Sequence, residues 1–296
     1  MKKLIYIEEE VRNNLRTQLI CKKFKDPEII YIKKYAEIFN KKNQNFSLQK
    51  RNPAIILAKK NNKLLLKTPE NYGVGNNINY YFSYMYNCLF DCKYCFLQGL
   101  YSSANYVIFV NYEDYINEIK TIIKKNINKK ITFFSGYDCD SLGFEPISNF
   151  MSYALNNFTD NPNFELEIRT KSTYLKPFLR EVKNNIIIAY SFTPKRFSKS
   201  YEKGVPGFEK RIKTLKKLCD LGWKIGFRFD PVIIYEGWKE DYSKMFEILF
   251  SNIKRNSIHS VSVGNLRFPK SMYKKIIKNN LKEKIFFNLI KKNKLY

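Results

Sequence analysis

The segment INYYFSYMYNCLFDCKYCFLQGL (residues 78–100) places a β-rich run directly before a loop that carries three cysteines. Residues 78–85 are rich in aromatic and β-branched side chains, which is typical of a strand. The cysteines follow at once, as Cys88, Cys92 and Cys95. Because α/β folds place their chemistry at the carboxyl ends of the strands, this loop is predicted to be functional.

Strand and helix patterns alternate regularly after this point. Strands are predicted at 78–85, 131–135, 164–170, 186–192, 224–234 and 259–266. Helices are predicted from near Tyr112 and at 146–157, 173–183, 208–220, 240–254 and 270–280. Six strand–helix units predict a parallel sheet, arranged either as an incomplete β/α barrel or as an open doubly wound sheet.

The order of these patterns predicts three regions. Residues 1–77 form an N-terminal lobe of mixed α/β character, residues 78–280 form the strand–helix unit, and residues 281–296 form a short basic tail. The first apolar stretch, near the N-terminus, is interrupted by glutamates too soon for a signal peptide. No apolar run approaches the ~18 residues of a membrane helix, so we expect a soluble, cytoplasmic protein that does not engage a membrane.

The chain is strongly basic, with 53 Lys and Arg against 27 Asp and Glu and a net charge of +26. Such an excess favours a polyanionic partner, because binding to phosphates releases condensed counterions. The abundance of Lys, Asn and Ile is also typical of an A/T-rich genome, which would spread lysines over every surface. The charge alone therefore leaves nucleic-acid binding open.

Cysteine usage is more informative than charge. The six cysteines are Cys21, Cys88, Cys92, Cys95, Cys139 and Cys219. A long cytosolic chain does not use such spacing for disulfides, and the single histidine, His259, argues against hydrolytic triads and histidine-based metal sites. Structural zinc normally takes four ligands, whereas three cysteines can hold a four-iron cluster and leave one iron open. A zinc knuckle or a structural cysteine cluster remains an alternative.

The pattern Cys88-x3-Cys92-x2-Cys95, with an aromatic residue before the third cysteine, resembles the radical S-adenosylmethionine (SAM) superfamily. The resemblance implies a partial (β/α)6 barrel with an N-terminal α/β lobe. It also implies a [4Fe-4S] cluster whose open iron binds SAM, and reductive cleavage of SAM to a 5′-deoxyadenosyl radical.

Further segments resemble the spore photoproduct lyase family from about residue 4 to about residue 280. They are CKYCFLQ, VNYEDYINEI, IYIEEEV, DLGWKIGFRFDPVI and EGW. The family reverses a methylene-bridged thymine dimer in DNA: the radical removes a hydrogen, the bridge breaks, a cysteine thiol returns a hydrogen, and tyrosines help to re-form SAM. The resemblance implies damaged DNA as a partner and an electron donor such as flavodoxin or ferredoxin.

The resemblance also implies roles for particular residues. The three loop cysteines match the cluster ligands, and Tyr94 matches one tyrosine of the radical-return path. Lys171 matches the lysine that pairs with the SAM carboxylate, and Ser191 matches a serine that contacts SAM. The second tyrosine of the path is replaced by Phe96, which has no O–H to give up.

The hydrogen donor is the least certain assignment. In SGYDCDSLGFEP (135–146), alignment on Asp140 and Gly143 puts Tyr137 where the family has its donor cysteine. If the backbone is extended, Cys139 faces the same cavity about 7 Å away and serves as an offset donor. A thiol packed at a strand end is the alternative interpretation.

Arg228 and Asp230 are expected to form a structural pair in the barrel interior.

The sequence stops at KKNKLY (291–296), before the basic, aromatic hairpin with which the family enters DNA. Together with Phe96 and Tyr137, this leaves two rival functions. One is a radical SAM enzyme acting on RNA or a small molecule, and the other is a zinc-bearing nucleic-acid-binding module.

Overall fold

The computed structural model describes residues 2–70, 72–280 and 283–286. Its strands, in chain order, are β1 (Leu4–Glu8), β2 (Glu28–Ile32), β3 (Ile55–Ala58), β4 (Leu65–Lys67), β5 (Ile78–Phe82), β6 (Met85–Tyr86), β7 (Asp91–Cys92), β8 (Tyr106–Phe109), β9 (Ile131–Ser135), β10 (Phe164–Thr170), β11 (Ile186–Ser191), β12 (Glu202–Lys203), β13 (Lys224–Val232) and β14 (Ile258–Asn265).

The α-helices are α1 (Leu15–Cys21), α2 (Ala36–Phe39), α3 (Phe46–Gln49), α4 (Leu97–Leu100), α5 (Tyr112–Lys125), α6 (Glu145–Ser148), α7 (Phe150–Asn157), α8 (Lys195–Tyr201), α9 (Phe208–Asp220), α10 (Trp238–Asn252) and α11 (Lys270–Asn279). Short 3-10 turns lie at Glu9–Val11, Lys176–Phe178, Arg255–Ser257 and Lys284–Phe286.

The larger sheet has seven strands in the order β14-β13-β11-β10-β9-β5-β4. All neighbours pair in parallel except β4 and β5, which are antiparallel. Its six parallel strands correspond to the six predicted strands. The IIIAYS run of β11 is buried throughout, as expected for a parallel strand covered on both faces. The six predicted strands and their parallel arrangement are confirmed.

Two predicted helices differ from the structure. Segment 173–183 contains only the 3-10 turn Lys176–Phe178, because Pro177 cannot donate a backbone hydrogen bond to a helix. The apolar spacing arises instead from loop packing, with Phe178 against Trp223 at 5.5 Å between ring centroids. Segment 146–157 is divided between α6 and α7 at Asn149, whose φ is +54°.

The smaller sheet has five strands in the order β2-β1-β3-β8-β6. Here β8, which follows the cysteine loop, joins strands from the first 77 residues, whereas β4 from that region pairs with β5 in the larger sheet. The predicted boundary at residue 77 therefore marks an order along the chain and not a division between sheets. Of the predicted tail, 281–296, only residues 283–286 are among the described residues.

No helix in the described part of the chain is both long and apolar enough to cross a membrane.

Candidate active site

The cysteine loop leaves the smaller sheet after β6 and is held by backbone and amide contacts. Asn87 adopts a φ of +66°, and its side-chain amide donates to the carbonyls of Ser103 and Asn105 at 2.8 and 2.7 Å. The amide of Gln98 donates to the Cys92 carbonyl at 2.8 Å. These bonds fix both ends of the loop.

The three predicted cluster ligands line one cleft, together with Lys50 and Tyr106 among other residues. Cys92 is buried, and Cys88 and Cys95 are half-buried. Burial raises the pKa of all three thiols, so iron would displace their protons on binding. The Phe90 N–H donates to the Cys88 sulfur at 3.4 Å, the kind of contact that tunes a thiolate-bound cluster.

This donor set fits an iron–sulfur cluster. Within residues 2–70, 72–280 and 283–286, no three His, Cys, Asp or Glu side chains are grouped to hold one metal ion. A four-iron cluster has no need of such a group, since its thiolates bind separate irons. Three soft thiolates on one loop would each bind one iron of such a cluster.

A short antiparallel ladder ties the cysteine loop to the far side of the sheet. In it, Glu202 of β12 pairs with Cys92 of β7, and Lys203 pairs with Asp91. The ladder is extended by the Lys93 N–H, which donates to the Tyr201 carbonyl at 2.9 Å. The second cysteine is therefore fixed by backbone hydrogen bonds.

Tyr94 and Lys171 lie together in this region, as parts of one hydrogen-bond network. The Lys171 ammonium, at the carboxyl end of β10, donates to the Tyr94 hydroxyl oxygen at 3.0 Å and to Glu202 Oε1 at 2.8 Å. The Tyr94 hydroxyl donates to the same Glu202 oxygen. Burial alone would raise the pKa of Glu202, but Lys171 and Arg211 hold it well below its usual range.

Ser191, at the end of β11, is connected to the same network through Arg211. The Arg211 guanidinium is fully buried and donates to the Ser191 carbonyl at 3.0 Å and to Glu202 Oε2 at 3.1 Å. Asp140 joins the ends of β9 and β10 by accepting from the Thr170 hydroxyl at 2.7 Å and the Lys171 N–H at 2.6 Å. The predicted SAM-binding residues thus have fixed surroundings.

Tyr137 lies on the loop that follows β9 and turns sharply at Gly136. Gly136 has a φ of +76°, and a Cβ there would lie 2.4 Å from the Ser141 hydroxyl. The Tyr137 side chain is 44% exposed. Its ring centroid lies 5.5 Å from that of Phe96, directly after the third cysteine, and 4.5 Å from that of Tyr81.

Cys139 does not share this exposed position. Its backbone lies in a bend, so the extended geometry that would carry it into the same cavity as Tyr137 is not present. The side chain is 6% exposed and packs in the main hydrophobic core, where burial raises the pKa of its thiol well above the usual value. The turn at Gly136 therefore leaves the Tyr137 side chain exposed and places the Cys139 side chain in the hydrophobic core.

The expected pair of Arg228 with Asp230 is wrong. The fully buried Arg228 guanidinium binds Glu167 of β10, with Nη2 to Oε2 at 2.6 Å and Nε to Oε1 at 3.1 Å. Asp230 lies against Gly264 of β14, where a Cβ would be 2.5 Å from its carboxylate. Side chains two apart on a strand are about 7 Å apart, whereas β10 and β13 flank β11, and the long Arg228 side chain reaches Glu167 across it.

Glu202, Arg211 and Glu167 are functional or structural charges that the sequence reasoning missed. Arg211 had a detectable signal, because it lies four residues before Leu215 and seven before Leu218 on the buried face of α9. A charged residue on an apolar face indicates a buried partner. Glu202 had no such signal, since it lies between helices and its partners are distant in sequence.

Comparisons with known proteins identify the family of the chain. A sequence model of the family described as spore photoproduct lyase matches residues 1–296. Spore photoproduct lyase of Bacillus subtilis is 26% identical over 203 residues, covering 67% of this chain and 59% of that protein. The Clostridium acetobutylicum protein is 28% identical over 203 residues, covering 68% and 60%. The matched region spans about three fifths of these relatives' length.

Solved structures show the same fold. A mutant spore photoproduct lyase with bound AdoMet and dinucleoside spore photoproduct superposes with a TM-score of 0.83 at 18% identity, covering 96% of this chain and 84% of that one. A spore photoproduct lyase complexed with dinucleoside spore photoproduct gives a TM-score of 0.80 at 18% identity, with the same coverage. The fold is therefore that of the radical SAM partial barrel, and the match along the whole sequence shows that the chain belongs to the spore photoproduct lyase family.

Proposed function

We propose that this protein is a radical SAM lyase that repairs a methylene-bridged thymine dimer in DNA. The observation that carries the proposal is the arrangement of three cysteines around one cleft, beside Tyr94 and Lys171, in a chain of the spore photoproduct lyase family. No histidine-based or hydrolytic site accompanies it in the sequence. The chemistry is therefore assigned to sulfur-bound iron and SAM.

Cys88, Cys92 and Cys95 would hold a [4Fe-4S] cluster, and Lys171 and Ser191 would contact SAM. When bound, the cluster and SAM supply a 5′-deoxyadenosyl radical for hydrogen abstraction. The protein contributes the position of the reacting groups and the exclusion of water. Because the Lys171 side chain is only 15% exposed, its ammonium attracts a carboxylate bound beside it more strongly than it would in bulk water.

DNA is the proposed substrate class on two grounds. The solved relatives of the same fold include one complexed with dinucleoside spore photoproduct, and this chain carries a net charge of +26. A dimer inside a duplex must be extruded before its carbon atoms can be reached, and half-exposed aromatic rings such as Tyr137 are suited to stack a displaced base. We infer action in the cytoplasm, with a flavodoxin or ferredoxin as the electron donor.

Tyr137 is the preferred hydrogen donor over Cys139. Its side chain is 44% exposed and contacts Phe96, whereas the Cys139 side chain is 6% exposed in the core. In the donor step, a hydrogen atom passes from the phenolic O–H to the substrate carbon radical and leaves a tyrosyl radical. Tyr94, with its hydroxyl held by Lys171 and Glu202, is the proposed partner: its O–H would give a hydrogen atom to the Tyr137 radical, and 5′-deoxyadenosine would restore the hydrogen of Tyr94.

The test is an anaerobic assay of the reduced, reconstituted enzyme with SAM and DNA that contains the dimer. Restoration of the two thymine residues in the DNA, together with cluster-dependent SAM cleavage, supports the proposal. The matched control is Cys92→Ala, which lacks one cluster ligand and should restore no thymine residues. Production of 5′-deoxyadenosine without restored thymine residues would remove the DNA-lyase assignment.

A second candidate, a radical SAM enzyme that acts on RNA or a small molecule, is favoured by one observation. Phe96 and Tyr137 are in contact, with ring centroids 5.5 Å apart, at the two positions where the family has tyrosine and cysteine. The same assay distinguishes the candidates if an RNA and a DNA substrate are offered in parallel.

A further inference from the structure

Glu202 is a buried carboxylate whose hydrogen-bonding capacity is fully used. The residue is 4% exposed, and its two carboxylate oxygens accept from five side chains. The donors are Tyr94, Lys171, Thr193, Ser198 and Arg211. Because a carboxylate offers about four lone-pair sites, none is left for a ligand or for proton transfer. Its role is therefore to position other groups.

The donors come from elements that are distant along the chain. Tyr94 belongs to the cysteine loop, Lys171 directly follows β10, and Thr193 follows β11. The backbone of Glu202 also pairs with Cys92 in the β7–β12 ladder. One residue thus joins the cysteine loop to the carboxyl ends of two neighbouring strands.

The charges explain why this junction is rigid. Glu202 lies between Lys171 at 2.8 Å and Arg211 at 3.1 Å, and the carboxylate and guanidinium are completely shielded from solvent. Charged hydrogen bonds are stronger than neutral ones, and a buried charge is stable only when it is paired. Arg211 extends the same junction to the Ser191 carbonyl at 3.0 Å.

Lys171 retains the capacity to bind an anion while held in this way. Its ammonium has three N–H donors, of which one points to Tyr94 and one to Glu202. Among the described residues the third has no acceptor, and the side chain is 15% exposed, so a ligand carboxylate can reach it. Glu202 fixes the direction in which that N–H points.

We propose that Glu202 is the positioning residue of the SAM site, which orients the Lys171 ammonium and the Tyr94 hydroxyl and, through Arg211, fixes the Ser191 backbone. The inference rests on the proposed function, in which Lys171 receives the SAM carboxylate. The opposite view is that Glu202 competes with SAM for Lys171. The two views predict opposite changes in SAM affinity when the carboxylate is neutralised.

The experiment compares Glu202→Gln and Glu202→Asp with a matched control, Glu209→Gln. Glu209 pairs with Lys195 on the surface, where both side chains are about two thirds exposed. SAM dissociation constants are measured by equilibrium dialysis on the reconstituted proteins, together with iron content and melting temperature. We expect Glu202→Gln to bind SAM about tenfold more weakly or worse with unchanged iron content, Glu202→Asp to be intermediate, and Glu209→Gln to match wild type. Equal or tighter binding by Glu202→Gln overturns the proposal.

A second measurement needs no cluster and separates this proposal from the function it rests on. In metal-free protein, the rate at which an amine-acylating reagent modifies Lys171 is followed by peptide mass spectrometry. Loss of its ion pair in Glu202→Gln should raise that rate several-fold, whereas Glu209→Gln should leave it unchanged. If wild type binds no SAM, the proposed function fails, and an unchanged Lys171 rate then overturns the positioning role as well. If Glu202→Gln does not fold, the same two measurements on Glu202→Asp decide, and wild-type values in both overturn the proposal.

Discussion

Replacing Arg228 with methionine tests whether the interior of the barrel depends on charge pairing. Glu167 is 1% exposed and loses two hydrogen bonds from Arg228 in this variant, while it keeps two from Arg169 at 3.0 and 3.1 Å. Removing one partner of a buried ion pair costs about 3–5 kcal/mol, and because Arg169 remains we expect about 3 kcal/mol. The loss should appear in urea unfolding of the reduced, metal-free protein near pH 7.

The double variant Glu167→Gln/Arg228→Met provides the decisive comparison. In the double variant Arg169 also loses the carboxylate with which it pairs at 3.0 Å, so the double variant should be less stable than Arg228→Met alone. Arg196→Met, which breaks an exposed pair with Asp241, is the control and should unfold close to wild type. A loss below about 1 kcal/mol in Arg228→Met, or a double variant more stable than the single one, would refute the reasoning.

The pH dependence of the same comparison has a defined sign. Burial alone would raise the pKa of Glu167, but Arg169 and Arg228 lower it below the usual value. A carboxyl group with a lowered pKa contributes stability above its unfolded pKa of about 4.3 and loses it as the pH falls through the folded pKa. The gap between wild type and Arg228→Met should therefore be widest near neutral pH and should narrow in acid.

Three further predictions concern the site and the opposite end of the sheet. Cys92→Ala should lose the cluster, so that iron falls well below about four per chain while circular dichroism shows a retained fold; full iron content would exclude Cys92 as a ligand. Tyr137→Phe should reduce the restoration of thymine residues at least tenfold while Cys139→Ala retains it, as measured by chromatography of the digested DNA, and the reverse pattern would assign the donor to Cys139 (an order-of-magnitude expectation for loss of a reacting group). Burial alone would raise the pKa of Glu165, but His259 and Lys130 lower it to about 2. Glu165→Gln should therefore destabilise the protein near pH 6 and much less near pH 3, which is about one unit below the unfolded pKa. An equal loss of stability at both pH values would contradict this.

Local patterns in the sequence predicted the strands well. The runs at β9, β10 and β11 are short, apolar or alternating, and bounded by turn residues, so their ends in the structure agree with prediction within one residue. The helix at 173–183 was wrong because apolar spacing alone does not reveal that Pro177 and the contact of Phe178 with Trp223 favour a loop. Periodicity predicts burial more reliably than it predicts the backbone conformation.

The site was predictable where its residues are close in sequence. The three cysteines lie within eight residues, and their spacing carries the chemistry. Glu202 and Tyr94 are 108 residues apart, and Arg228 and Glu167 are 61 residues apart. Such pairs depend on which strands become neighbours and how the sheet curves, and a single sequence does not contain that information in any local pattern.

The short ladder between β7 and β12 has a consequence for how the protein responds to iron supply. In a zinc finger the metal provides the folding energy, so the chain without metal is unfolded. Here Cys92 is fixed by the ladder with Glu202, and the neighbouring Tyr94 is fixed by side-chain bonds, none of which involves a metal. We therefore expect the chain to fold before the proposed cluster is loaded, so that a shortage of iron would leave a folded protein that resists proteolysis and accepts the cluster later.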